Sequence, residues 1–130
     1  MRILVVDDDI GLTQLLQLVF ESRGFGVTIA HNGEQALESL ERELPEAILL
    51  DLMMPGISGL EVCKQVRSAP HTANIPIVIL TARYDMQTRR DAMQAGATEY
   101  LTKPVRPTEL INRMREVATD SASATVKVLT

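Results

Sequence analysis

The segment ILVVDDD, residues 3–9, decides how this chain reads. Ile3, Leu4, Val5 and Val6 are apolar, three of them β-branched, with no polar residue alternating between them. Such a run marks a strand covered on both faces, as in a parallel sheet lying between helices. Asp7, Asp8 and Asp9 follow it directly. Two like unit charges about 4 Å apart repel by ~4 kcal/mol at an effective dielectric near 20. The acids therefore either all face water or share a cation.

The same pattern recurs outward from this segment. Strands are expected at Ile3–Asp7, Val27–Ala30, Ala47–Asp51, Ile75–Leu80 and Thr98–Leu101. Between them lie helical periodicities. The first, Ile10–Arg23, places Leu12, Leu15, Leu16 and Val19 on one face and closes at Gly24. The second, Gly33–Leu44, turns Ala36, Leu37 and Leu40 inward and stops before Pro45. The third, Ser58–Ser68, offers Val62, Cys63 and Val66, with Ser58 as cap. The fourth, Met86–Ala95, is less apolar and ends at Gly96. The fifth starts at Pro107 and carries Leu110, Ile111, Met114 and Val117. Strict alternation gives an α/β fold: a (βα)5, doubly wound, five-stranded parallel sheet with right-handed crossovers.

The chain has 130 residues, enough for one domain with one core. It is 45% hydrophobic, which excludes a largely disordered chain. A net charge of −4 argues against direct nucleic-acid binding or attachment to an acidic membrane. No apolar run is long enough to span a bilayer, and MRILVVDDD lacks the long apolar segment of a secretory signal. The expected location is cytoplasmic. Cys63 is the single cysteine and lacks the C-x5-R spacing of cysteine phosphatases, so it reads as core filler. The segment 119–130, TDSASATVKVLT, reads as a linker-like or disordered tail behind a domain spanning 1–118. Its TVKVLT alternates weakly, as a sheet-edge strand would.

In an open α/β sheet, sites form beyond the carboxyl ends of the strands. Asp7, Asp8 and Asp9 end the first strand, Asp51 the third and Thr81 the fourth, while Lys103 follows the fifth. An oxygen-only cluster of this kind suits Mg2+. Asp9 is better placed as the cap of the first helix. A carboxylate beside a divalent ion and an ammonium can attack phosphorus, which makes Asp51 the candidate nucleophile.

These residues carry a resemblance. VVDD (Val5–Asp8), LLDLMMPGISG (Leu49–Gly59), ILTA (Ile79–Ala82), AGATEYLTKP (Ala95–Pro104) and EL (Glu109–Leu110) resemble, in order and spacing, the receiver domain of two-component response regulators. The match covers Arg2 to Val117. It implies a flavodoxin-like sheet with strand order 2-1-3-4-5. It implies a phosphorylation-dependent signalling switch, not an enzyme, with Asp51 as phosphoryl acceptor. Mg2+ would be held by Asp8, Asp51, the backbone carbonyl of Met53 and, through water, Asp7. Lys103, Thr81 and the Ala82 N–H would bind the phosphoryl group, Tyr100 would be the switch aromatic, and the Lys103–Pro104 peptide would be cis. The implied phosphodonor is a sensor histidine kinase or a phosphotransfer domain. The face of the fourth helix, fifth strand and fifth helix is expected to change. Arg89, Glu99, Glu109 and Arg113 partly match a charge pattern used for homodimers there. The output domain would be fused or separate. Met53 and Arg83, two residues after Asp51 and Thr81, would set the lifetime of the phosphoryl group.

Two other classes compete. A Mg2+-dependent phosphohydrolase with an aspartate nucleophile needs an acid two residues on, and Asp7-x-Asp9 offers that spacing. A flavodoxin-type redox module lacks support, because no Ser/Thr/Gly phosphate loop follows the first strand.

Overall fold

The computed structural model describes the backbone of residues 1–129 and the side chains of residues 1–119. The elements run β1 (Arg2–Val6), α1 (Ile10–Glu21), β2 (Gly26–Ala30), α2 (Gly33–Arg42), β3 (Ala47–Leu50), α3 (Gly59–Ser68), β4 (Ile77–Thr81), α4 (Met86–Ala95), β5 (Glu99–Thr102) and α5 (Pro107–Leu129). The five strands are all parallel, in the order β2-β1-β3-β4-β5. The expected fold class and strand order are both found.

Successive strand residues face opposite sides of the sheet, so the apolar runs supply two cores. Leu4, Val6, Ile48, Leu50, Ile77 and Ile79 pack under α2, α3 and α4, with Val62, Cys63, Val66 and Ala92. Ile3, Val5, Ala47, Leu49, Val78 and Leu80 pack under α1 and α5, with Leu16, Phe20, Ile111 and Met114. Phe20 meets Phe25 edge to face, with centroids 5.0 Å apart. This double cover explains why the strand sequences show no polar alternation.

Local chemistry sets the helix starts. The Asp9 carboxylate accepts from the Leu12 N–H, Asn32 from Gln35, Ser58 from Glu61 and Asp85 from Thr88. Gly96 closes α4 in the left-handed region at φ +111°.

Several boundaries differ from the sequence reading. Leu15 faces out, 52% exposed, and Thr13 takes an inner position with Leu16 and Phe20. LTQLLQLVF is apolar almost all round, so its periodicity has too little contrast to place every leucine. β4 begins at Ile77, after Pro76, whose missing N–H prevents it from joining the ladder as a donor. α1 ends at Glu21 and α2 at Arg42, each two residues early. α5 is continuous to Leu129, so the segment 119–130 carries helix, not a strand, through residue 129. It contains no Gly or Pro to stop the helix. Thr130 lies outside the described residues.

Candidate functional site

Parallel pairing brings the strand ends to one rim. Val6 is in register with Leu50, Leu50 with Ile79, and Ile79 with Tyr100. β1 and β3 end at Val6 and Leu50, and β4 and β5 two residues beyond that register, at Thr81 and Thr102, so Asp7, Asp51 and Lys103 leave the sheet at one rim. The Asp7 N–H donates to Ala30 O, Asp51 N–H to Val6 O, and Lys103 N–H to Thr81 O, at 2.8–3.1 Å. These bonds extend the ladder by one rung and fix where the three side chains start.

The Lys103 ammonium donates to Asp7 Oδ2 at 2.8 Å and to Asp51 Oδ2 at 3.0 Å. Each carboxylate uses its other oxygen locally. Asp7 Oδ1 accepts from the Asp9 N–H at 2.9 Å, and Asp51 Oδ1 accepts from the Met53 N–H at 3.1 Å. Asp7 and Asp51 are buried while Asp8 is exposed, and one carboxylate oxygen from each lies within 4.8 Å of the others. Asp9 turns away to cap α1.

Three carboxylates meet one ammonium here. Burial pushes the Asp7 carboxyl above its ordinary value, against the hydrogen bonds from Lys103 and the Asp9 N–H that lower it; the Asp51 charge adds to the rise. Burial works against the charge of Lys103, but its bonds to Asp7 and Asp51 outweigh that and hold its pKa above the ordinary value. The cluster is an oxygen-only donor set short of positive charge. That composition fits a hard divalent cation such as Mg2+.

Thr81 is buried, and its Oγ1 accepts from the Arg83 N–H at 3.4 Å. Ala82 is exposed beside it. Tyr100 is only 8% exposed, and its hydroxyl donates to the Arg83 carbonyl at 2.6 Å. The Arg89 guanidinium lies 5.9 Å from the Tyr100 ring centroid. Met53 is exposed, and Arg83 directs its Nε to Asp85 Oδ1 at 3.0 Å. The Lys103–Pro104 peptide is cis. Of the four residues in the dimer-like pattern, Glu99 and Arg113 pair with each other at 2.8 Å, while Arg89 and Glu109 are exposed.

Sequence reasoning missed two contacts. It placed Lys103 at the rim but did not identify its direct bond to Asp7. It also gave His31 no role, yet His31 Nδ1 lies 3.2 Å from the Asp7 carbonyl oxygen. Pairing of Val6 with Ala30 is the signal that places His31 beside Asp7, and it is legible only once β2 is known to flank β1.

A doubly wound α/β domain with an acidic rim site bridged by one lysine is thus defined. The chain belongs to the response regulator receiver domain family, whose model matches residues 3–115. It is 44% identical over 115 residues to response regulator MprA of Mycobacterium avium, covering 88% of this chain and 50% of that protein. It is 40% identical over 114 residues to the DNA-binding response regulator MtrA of Mycobacterium leprae, covering 88% and 49%. The receiver domain of the sensor histidine kinase PA1611 of Pseudomonas aeruginosa, solved with a magnesium ion coordinated in its active-site cleft, superposes with a TM-score of 0.84. It is 30% identical, and the match covers 91% of this chain and 97% of that one. The chain spans about half the length of the curated relatives it matches. The expectation of no nucleic-acid contact finds no support here, since MtrA is DNA-binding by name. No helix among the described residues is long and apolar enough to cross a membrane.

Proposed function

We propose that this receiver domain is a switch in which Asp51 accepts a phosphoryl group from a phosphohistidine of a sensor kinase or phosphotransfer domain. The observation that carries this reading is the bridge from Lys103 to Asp7 and Asp51, with Asp8 within 4.8 Å. An Asp51 carboxylate oxygen attacks phosphorus, the P–N bond to the donor imidazole breaks, and its electron pair returns to the ring nitrogen, which takes up a proton.

Asp8, Asp51, the Met53 carbonyl and, through water, Asp7 would hold Mg2+, which supplies positive charge opposite the incoming phosphoryl oxygens. The receiver of PA1611, solved with magnesium in its active-site cleft, supports Mg2+ as the ion. Lys103 supplies the second cation and keeps Asp51 oriented. The Thr81 hydroxyl, which now accepts from the Arg83 N–H, turns to donate to a phosphoryl oxygen, and the Ala82 N–H assists. Tyr100 then gives up the Arg83 carbonyl and fills the space Thr81 leaves. The face of α4, β5 and α5 shifts between two populated states.

On this reading the domain works in the cytoplasm. Its changed face meets a partner or a second copy, and a homodimer using Glu99 and Arg113 must first open their internal pair. Residues 1–118 form the receiver, and 119–130 connect it to an output element, as the greater length of MprA and MtrA suggests. Met53 is neither an acid nor a good ligand for water, which favours slow self-hydrolysis; a phosphoryl half-life of seconds counts against this.

Exposure to a small phosphodonor with Mg2+ tests the reading. One stoichiometric phosphoryl addition is expected, absent in Asp51→Asn and retained in Asp9→Asn. Sustained turnover of phosphate esters, abolished by Asp7→Asn and not by Asp51→Asn, supports a hydrolase instead.

A further inference from the structure

Arg67 sits in the last turn of α3, away from the acidic rim. Its Nε donates to the Gly96 carbonyl at 2.9 Å, and its Nη1 donates to the carbonyls of Ala73 and Ile75 at 3.1 and 2.6 Å. Nη2 reaches Thr98 Oγ1 at 3.5 Å. One guanidinium thus joins α3 to the loop before β4 and to the turn between α4 and β5. A planar fork of five donors can serve carbonyls in such different directions, whereas a lysine ammonium is a point donor.

Gly96 is part of the same device. Its φ of +111° favours glycine, and a Cβ there would lie 2.5 Å from Arg67 Cγ. The turn therefore needs a residue without a side chain for two independent reasons. Thr98 carries the fastening into the sheet, because its Oγ1 accepts from the Ile77 N–H at 3.0 Å and its own N–H donates to Ile77 O at 2.7 Å.

Among the described residues, no guanidinium ties the other end of α4 to several backbone carbonyls; its contacts there are the Tyr100 hydroxyl on the Arg83 carbonyl and the Arg89 guanidinium 5.9 Å from the Tyr100 ring. Asp85 caps Thr88 and pairs with Arg83 in an exposed cluster, and residues 82–87 are all exposed. The segment that touches Thr81 and Tyr100, through Arg83, leads into this loose end.

We infer that Arg67 is the fixed point of α4: it pins the C-terminal end of the helix, and rearrangement at the rim tilts the N-terminal end about it. The tilt rests on the switch reading of Asp51; the pinning does not. Arg67 acts through backbone that it holds and touches neither Asp51 nor its ligands.

Amide hydrogen exchange on the whole chain, with and without beryllofluoride and Mg2+, tests this for wild type, Arg67→Met and Arg67→Lys. In the unliganded wild type, amides of Gly96, Ala97 and Thr98 should exchange more slowly than those of Met86–Arg89. Arg67→Met should speed exchange at 96–98 by about tenfold, and Arg67→Lys should do so by less. With beryllofluoride, wild type should change at 86–89 and stay protected at 96–98, whereas in Arg67→Met the change should spread along the helix. Unchanged exchange at 96–98 in both unliganded variants overturns the pinning. A wild-type response at 96–98 as large as that at 86–89 overturns the tilt. If beryllofluoride leaves wild type unaltered throughout, the switch reading fails and takes the tilt with it, while the unliganded comparison still decides the pinning.

Discussion

Substituting Asp51 by Asn should make the metal-free protein more stable. Asp51 faces two like charges, Asp7 and Asp8, with oxygens within 4.8 Å, and one ammonium at 3.0 Å. At an effective dielectric of 20, each repulsion is about 3.5 kcal/mol and the attraction about 5.5 kcal/mol. The balance is slightly unfavourable even before the cost of burying the Asp51 carboxylate, which is several kcal/mol on the usual scale. Asn removes the charge and keeps one acceptor. That oxygen can serve the Met53 N–H or Lys103 but not both, which costs about 1 kcal/mol. Lys103 retains Asp7 as partner. The net expectation is a gain of about 1–3 kcal/mol. Urea unfolding in a chelator measures it. Adding Mg2+ should stabilise wild type in proportion to ligand occupancy and stabilise the variant less, so that the order of stability narrows or reverses. An Asp51→Asn variant less stable than wild type in the chelator refutes the view that the rim is short of positive charge.

Other outcomes follow from the packing and the helix ends. Phe20→Ala removes a fully buried ring set against Phe25 and should cost about 3–5 kcal/mol in urea unfolding. Gly59→Ala would place a Cβ 2.6 Å from the Asp51 carbonyl oxygen and 2.7 Å from Leu52 Cα. The backbone bearing Asp51 must then shift, so stability should fall by about 1–3 kcal/mol and phosphoryl acceptance should drop in the same variant. Asp85 has its pKa lowered from 3.8 to about 2 by hydrogen bonds from the Thr88 side chain and backbone, and then by Arg83. The folded value lies below the unfolded one, so its stabilisation is complete above pH 3.8 and disappears as pH falls through about 2. Asp85→Asn keeps the cap acceptor, and its urea midpoint should lose less between those pH values than that of wild type.

The strands were legible because a double-covered sheet writes itself as unbroken apolar runs, and AILL and IVIL lie buried at every position. The caps at Asp9 and Ser58 were legible because the acceptor side chain and the amide it serves are three residues apart. Leu15 was not, since α1 carries apolar residues on several faces. The residues at the strand ends could be named from one strand at a time, but their convergence depends on which strands are neighbours. That order came from resemblance and not from the periodicity. The Arg67 fastening shows the same limit: its partners lie 6 to 31 residues away and are mostly backbone carbonyls, which carry no mark in the sequence.

The most direct test of the central claim is to map the acceptor chemically. Acyl phosphates are reduced by borohydride to the alcohol, so the chain would be treated with a phosphodonor and Mg2+, reduced, and sequenced by tandem mass spectrometry. The account predicts homoserine at position 51 and unreduced aspartate at 7, 8 and 9. Homoserine at Asp7 or Asp8 with Asp51 intact contradicts it, as does an unmodified chain under conditions where the donor is consumed.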